Sequence, residues 1–169
     1  ENSIKDKFQE RQIITLNPKL NDDEIAFLQY QQSLKFDALQ TKDEKKKRKD
    51  FLFSISLFKS FMSSPKACLK SIVNRIEKVK ESTATEDLKE NNLTILEEAK
   101  DLVEKVIKRG TDSKYSELKN HLIAKGWKGK RNDDRIIIFS ERIETMKFLA
   151  ESLSNDFNIE KGTDLSEMK

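Results

Sequence analysis

One long periodic stretch, residues 86–110, constrains the fold more than any other part of the chain. Its apolar side chains recur every three or four residues, which places them on one face of a helix. Gly110 follows at once, and a glycine just past the last turn is a common helix end. The stripe consists of Leu88, Ile95, Leu96, Ala99, Leu102, Val103, Val106 and Ile107. Since the 169 residues include only four Gly and two Pro, we predict a mainly α fold.

The first two helices of the chain are predicted from the same periodicity. A helix from Asp23 to about Thr41 would begin in the acidic run "NDDE", which offers a cap and suits the helix dipole. Its expected apolar face is Ile25, Leu28, Phe36 and Leu39, with Phe27, Leu34 and Ala38 beside it. A helix through "FLFSISLFKSFM" is expected to bury Phe51, Ile55, Phe58 and Met62.

Two further helix starts carry local signals. Ser64 is a good cap, and Pro65 fits the first helical position, where its missing N–H costs nothing. The helix that follows would face inward with Leu69, Ile72, Val73, Ile76 and Val79. Asp112 or Ser113 would cap the next helix, which would turn Tyr115, Leu118 and Leu122 inward.

The run "RIIIF" departs from helical periodicity. It begins at Arg135, ends at Phe139 and is rich in β-branched residues, as in strands covered on both faces. A helix with Ile143, Met146, Leu149, Ala150 and Leu153 inward would follow it. We expect the strand to pair with residues 157–159, to pair with a second copy of the chain, or to pack against the helices.

The sequence provides few residues for catalysis or metal binding. His121 is the one histidine and Cys68 the one cysteine, so an internal disulfide and a zinc site of ordinary spacing are excluded. The chain has no phosphate-binding glycine loop, and we predict no catalytic, cofactor or metal residues in it. Cys68 is predicted to be a buried small hydrophobe in a reducing, cytoplasmic protein. No apolar run reaches the roughly 18–20 residues of a membrane helix.

Two basic stretches are candidates for nucleic-acid binding. The first is the run Lys45, Lys46, Lys47, Arg48 and Lys49, which can contact phosphates or form a solvated helix face. The second holds Trp127, Lys128, Lys130 and Arg131, where an aromatic among cations can stack on bases or anchor the loop. The net charge of +3 leaves both interpretations open.

The segment "FSERIET" is a third candidate. In open α/β sheets, ligands collect at the carboxyl ends of strands beside helix N-termini. Ser140, Arg142 and Thr145 would lie at such a place. The alternative is a plain capped helix.

Three stretches, in this order, resemble the Swi/Snf-type branch of superfamily-two DNA translocases, especially its bacterial HepA-like members. "FQERQIITLNPKLNDDEIAFL" resembles the exit from the first motor domain. "LFKSFMSSPKACLKSIVNRI" resembles a helical segment with a Ser-Ser-Pro signature between the motor domains. "TDSKYSELKNHL" with "RIIIFSERIETMKFLAESL" resembles the entry into the second RecA-like domain, where a strand ends in Phe-Ser or Phe-Thr.

The resemblance implies a domain plan. Residues 1–20 would leave the first motor domain, 21–110 would form a bundle-like helical interdomain region, and 111–169 would begin a β-α part of a RecA-like α/β domain. Ser140, Arg142 and Thr145 would then lie on the DNA-binding face of the second motor domain.

The resemblance also implies a function. The parent protein would be a bacterial, cytoplasmic DNA-dependent ATPase that uses ATP and Mg, with catalytic motifs outside these residues. Its partners would be DNA and either RNA polymerase or another protein, without a membrane, and the 135–139 strand would allow self-association. The alternatives are a helical protein-interaction module without motor activity, or a DNA-binding domain acting alone.

Overall fold

The computed structural model describes residues 12–34, 44–110, 112–130 and 135–159, without the side chains of 44–51. In these ranges the chain forms six helices and no strand, which confirms the mainly α prediction. The helices are α1 (Asp22–Ser33), α2 (Glu44–Ser63), α3 (Pro65–Lys80), α4 (Glu86–Arg109), α5 (Ser113–Ala124) and α6 (Ile143–Phe157).

Helix α1 starts as predicted and ends earlier. The Asn21 side chain accepts from the Asp23 and Glu24 backbone N–H groups, and the Glu24 carboxylate accepts from the Asn21 N–H, forming a capping box. Leu34 has φ −59° and ψ 98°, so α1 stops before the predicted Thr41. The predicted positions Phe36, Ala38 and Leu39 lie outside the described residues.

The buried face of α1 also differs from the prediction. Phe27 and Gln31 are buried together with Asp23 and Glu24 of the first turn, whereas Ile25 is 39% exposed. Buried Asp23 pairs with two basic residues of α4, and buried Glu24 accepts from Ser113 of α5. Gln31 donates to the Ser54 carbonyl and hydroxyl of α2. Periodicity of apolar residues cannot detect a buried face that is half polar.

Helix α2 turns a different stripe inward from the one predicted. Leu57, Ser60 and Phe61 are buried, while Ile55 and Phe58 remain exposed. The sequence "FLFSISLFKSFM" carries two apolar stripes, and packing decides between them. Phe61 is the side chain that meets Phe27, with ring centroids 4.3 Å apart, and that contact fixes the rotation of α2.

Local signals at the other helix ends are confirmed. Ser64 caps α3 by accepting from the Ala67 N–H, with Pro65 in the first position. Gly110 ends α4 in the left-handed region, with φ 62°. Asp112 caps α5 by accepting from the Lys114 and Tyr115 N–H groups.

The main hydrophobic core lies among α1 to α4. Helices α3 and α4 form its centre, with α2 against α3 and α1 against α4. The predicted α4 stripe is confirmed for its most buried members, and α6 packs on the outside of α3. The core consists of Phe27, Leu57, Phe61, Cys68, Ile72, Ile76, Val79, Leu96, Ala99 and Val103.

The segment 135–139 is not a strand in this structure. Ile137 is 76% exposed and Phe139 is 89% exposed. The predicted pairing with residues 157–159 is wrong, because Phe157 is the last residue of α6 and the Ile159 N–H donates to the Ser154 carbonyl at the helix end. Because Phe157 and the Ile159 N–H belong to the end of α6, residues 157–159 do not pair with residues 135–139. Pairing with a second copy stays a prediction.

Candidate nucleic-acid interface

The start of α6 carries two predicted site residues that reach α2, Arg142 and Thr145. Arg142 occupies the cap position, and its backbone N–H donates to the Ser140 hydroxyl at 3.3 Å. The Arg142 guanidinium donates to the Ser56 carbonyl at 3.4 Å, and this contact is exposed to solvent. Ser140 and Arg142 therefore lie together on the surface where α6 begins, beside the middle of α2.

Thr145, unlike Ser140 and Arg142, does not lie at the surface. It is buried, and its hydroxyl oxygen lies 2.7 Å from that of Ser63 and 2.8 Å from that of Ser64. These three residues form the hydroxyl cluster. Because the cluster joins the α2–α3 joint to α6, a phosphate contact at Thr145 would require it to open.

A second contact strengthens the same junction. The Lys66 ammonium and the Glu151 carboxylate form an ion pair at 2.9 Å between α3 and α6. The same ammonium lies 5.6 Å from the centre of the Phe148 ring. Lys66 and Glu151 are both substantially exposed, so this pair orients α6 more than it stabilises the fold.

The Trp127 loop lies at the opposite end of α6. Trp127 is half-buried, and its ring packs edge-on against Phe157, with centroids 4.9 Å apart. This geometry favours the loop-anchor interpretation of the indole. The 15 residues of α6 span roughly 20 Å, so Trp127 and Arg142 do not form one compact patch. Lys128 and Lys130 are exposed, and Arg131 lies outside the described residues.

The basic run belongs to α2, whereas the Trp127 loop follows α5. The backbone of the run belongs to the first turns of α2, and its side chains lie outside the described residues. The run residues are Lys45, Lys46, Lys47, Arg48 and Lys49.

Of the predicted site residues, the structure therefore brings together Ser140 and Arg142, with Thr145 buried beneath them.

Sequence reasoning missed the acidic residues that hold α1 to α4 and α5. The Asp23 carboxylate accepts from Arg109 at 2.6 Å and pairs with Lys105 at 3.0 Å. Hydrogen bonding to Lys105, reinforced by Arg109, lowers the pKa of Asp23. The Glu24 carboxylate accepts from both the backbone N–H and the hydroxyl of Ser113, each at 3.0 Å. The run "NDDE" indicated capping alone, and its partners are more than 80 residues away.

Near Glu24, burial raises the pKa of the Asp112 carboxyl, and the negative charge of Glu24 adds to that shift. Asp112 therefore holds its cap position at an electrostatic cost. The Glu24 carboxylate binds Ser113, the residue that follows Asp112. The neighbouring carboxylates of Glu24 and Asp112 therefore fix the start of α5.

A cleft of about 480 Å³ opens between α5 and α6, with the ends of α3 and α4 as its floor. Tyr115 donates to the Asp156 carboxylate at 2.5 Å, and Lys119 pairs with the same carboxylate at 3.0 Å. Burial raises the pKa of Tyr115, and the hydrogen bond to Asp156 raises it further. The same hydrogen bond lowers the pKa of Asp156. These two bonds to Asp156 hold α5 on α6.

The remaining chemistry is sparse over the described ranges. They contain no group of three or more His, Cys, Asp or Glu residues placed to bind a metal ion. Cys68 is buried, as predicted, and its thiol points toward the Leu57 carbonyl, with sulfur and oxygen 3.9 Å apart. None of the helices in the described part of the chain has the length and apolar character needed to cross a membrane.

Comparison with known proteins found no match to a family model, to a curated protein or to a solved structure. Function is therefore inferred from the residues and contacts above, together with the resemblance carried by three stretches of sequence. The hydroxyl cluster is the buried contact between the stretches 57–76 and 111–157, and the Lys66–Glu151 ion pair lies beside it.

Proposed function

We propose that the chain is part of an ATP-dependent DNA translocase of the Swi/Snf type, in which α1 to α4 couple the two motor domains. One observation carries this proposal. The stretches 57–76 and 111–157, which both resemble that family, touch each other through Ser63 and Ser64 on one side and Thr145 on the other.

The hydroxyl cluster suits a coupling role because Ser64 and Thr145 are buried and each of the three hydroxyls has a partner. Ser64 caps α3 with the same hydroxyl that meets Thr145. A displacement of α6 would therefore disturb the α2–α3 joint, since leaving a buried hydroxyl without a partner is costly. Movement of the second motor domain would reach the helical region by this route.

DNA would be contacted at the start of α6. The Arg142 guanidinium is exposed there, and the Ser140 hydroxyl lies beside it. Such groups bind phosphates without reading bases, as a translocase that moves along any sequence requires. ATP and Mg would be bound by motor residues outside this chain.

The experiment measures ATP hydrolysis by the full-length gene product with and without duplex DNA. Arg142→Ala should weaken the stimulation by DNA, and Lys147→Ala, which removes an exposed cation further along α6, serves as the matched control. Equal stimulation in both variants would refute the DNA contact. A gene product that hydrolyses no ATP would refute the motor assignment.

A second candidate function is a helical protein-interaction module without motor activity. The exposed apolar stripe on α2 favours it, because Leu52, Ile55 and Phe58 all face solvent. The coding sequence around these residues distinguishes the two. A phosphate-binding glycine loop and an acidic magnesium motif upstream support the motor, and their absence from the whole reading frame supports the module.

A further inference from the structure

The outward face of α2 carries an apolar stripe that no described segment covers. Leu52 is 55% exposed, Ile55 is 38% exposed and Phe58 is 42% exposed. Their spacing of three residues places them on one face of the helix. Contiguous apolar surface of this kind, bordered by charge, marks interaction sites. We call these three residues the α2 face.

The opposite side of α2 is firmly held. Leu57 and Phe61 are buried in the core, and the Gln31 amide donates to the Ser54 carbonyl and hydroxyl at 3.2 and 3.0 Å. The α2 face is therefore presented on a rigid support. Binding of a partner to the α2 face therefore requires little loss of conformational entropy in this chain, which favours affinity.

The charges around the α2 face are mainly positive. Lys59 follows Phe58 in sequence and is exposed. The Arg142 guanidinium reaches the Ser56 carbonyl, which places a second cation on the flank of the stripe. The run from Lys45 to Lys49 belongs to the same helix before Leu52. Cations thus precede and follow the apolar residues along the helix, and the basic segment remains net positive although it includes Glu44 and Asp50.

This distribution separates the possible occupants. A second copy in parallel orientation would bring two Lys45–Lys49 segments together, and one in antiparallel orientation would place each segment toward the Lys59 end of the other helix. Neither orientation supplies the net negative charge that these cations attract. Duplex DNA would satisfy the cations and leave the apolar residues uncovered. An acidic helix with apolar residues along one side satisfies both the stripe and the cations.

We propose that the α2 face docks an acidic amphipathic helix of another protein. The apolar residues of that helix cover Leu52, Ile55 and Phe58, and its flanking carboxylates meet Lys59 and Arg142, in the manner of helix-in-groove recognition. Because DNA would use the same Arg142 guanidinium, the acidic helix and DNA exclude each other at that residue. This interaction does not depend on the motor assignment, and it stands if the gene product hydrolyses no ATP.

The test uses fluorescently labelled peptides of about 20 residues, long enough for a stable amphipathic helix. The probe peptide repeats Leu and Glu so that the leucines form one stripe. One control has the same composition in scrambled order, and another has Lys in place of Glu. Anisotropy with the 169-residue chain should show the probe binding at least about tenfold tighter than either control, a difference of about 1.4 kcal/mol.

Matched variants locate the site. Ile55→Asp should weaken binding of the probe about tenfold or more, while Ile123→Asp, at an isoleucine of α5 that is 54% exposed, should not change it. Thermal unfolding shows whether Ile55→Asp impairs folding. If it does, Leu52→Glu, at the most exposed position of the stripe, is the second variant whose binding of the probe is measured.

Four results would overturn the proposal. They are equal binding of probe and scrambled peptide, no binding of the probe, and equal weakening by Ile55→Asp and Ile123→Asp. The fourth is a different occupant, seen either as a dimer in sedimentation that Ile55→Asp dissolves or as duplex-DNA binding that Ile55→Asp abolishes.

Discussion

The hydroxyl oxygen of Thr145 lies 2.7 Å from that of Ser63, although 82 residues separate them in sequence. The hydroxyl of Ser64 completes the cluster at 2.8 Å. Three short polar side chains thus join the end of α2, the start of α3 and the first turn of α6. The cluster makes the position of α6 sensitive to the α2–α3 joint.

Thr145→Val tests the energetic weight of the cluster, because valine keeps the shape of threonine and removes its hydroxyl. We expect the free energy of unfolding to fall by about 1–3 kcal/mol, since the serine hydroxyls lose a buried partner. Ser63→Ala should cost about 0.5–1.5 kcal/mol. Urea unfolding of both single variants and the double variant should give a coupling energy of at least about 0.5 kcal/mol.

The control for this cycle is Ser71→Ala in α3, whose hydroxyl bonds to the Ala67 carbonyl of its own helix. Its effect should add to that of Thr145→Val without coupling. Additive behaviour of Ser63→Ala and Thr145→Val would mean that the two hydroxyls do not depend on each other.

Asp23→Asn should make stability less dependent on acid pH. Lys105 and Arg109 hold the pKa of Asp23 below its ordinary value, which is about 3.9 in the unfolded chain. A lowered pKa in the folded state stabilises the protein above that value, and the contribution is lost as pH falls through the folded pKa. The variant should therefore be less stable than wild type at neutral pH, and the difference should shrink below about pH 4.

Urea unfolding at a series of pH values checks this expectation. Asp101→Asn, at an exposed aspartate of α4, is the matched control and should change stability little. A difference between wild type and Asp23→Asn that stays constant into strong acid would show that the ion pairs with α4 do not stabilise the fold.

Cys68 should resist alkylation in the folded chain. Burial raises the pKa of the Cys68 thiol to about 12, and iodoacetamide reacts with the thiolate. We expect very slow modification at about pH 8 and rapid modification in urea, followed by mass spectrometry. Modification of the native chain at the rate of a free cysteine would contradict the packing of α2 on α3.

Two glycines of the Trp127 loop provide a matched comparison. Both have positive φ, 74° at Gly126 and 70° at Gly129, so alanine costs about 1 kcal/mol or more at either position. A Cβ at Gly129 would also lie 2.7 Å from the Ile159 side chain, whereas a Cβ at Gly126 would meet no atom within 4 Å. Gly129→Ala should therefore lower the midpoint of thermal unfolding more than Gly126→Ala does.

Ile159→Ala provides the test of cause, because it removes the two side-chain atoms that a methyl group at position 129 would approach most closely. Added to Gly129→Ala, it should recover part of the loss. Equal effects of the two glycine variants would mean that the loop does not pack on the end of α6.

Much of the fold could be predicted because its signals are local. Ser64, Pro65, Gly110 and Asp112 each determine a helix end through their own backbone and the next few residues. The rotation of α2 could not be predicted, since both of its stripes are apolar and the choice depends on Phe27, in another helix. The state of residues 135–139 depends equally on non-local partners, because a strand forms when another strand meets it.

The candidate site was predicted in part. Hydroxyl and basic residues at the start of α6 indicated Ser140 and Arg142, and both lie at the surface there. The burial of Thr145 depends on Ser63, and the pairing of Asp23 depends on Arg109. These contacts join residues more than 80 positions apart, and neither spacing nor composition encodes them.

The most direct test of the coupling proposal is the DNA-stimulated ATPase of the full-length gene product carrying Thr145→Val, compared with Ser71→Ala. The account predicts that the ratio of DNA-stimulated to basal rate falls several-fold with Thr145→Val and equals wild type with Ser71→Ala. Full stimulation in the Thr145→Val variant, or no ATP hydrolysis by the wild-type gene product, would contradict it.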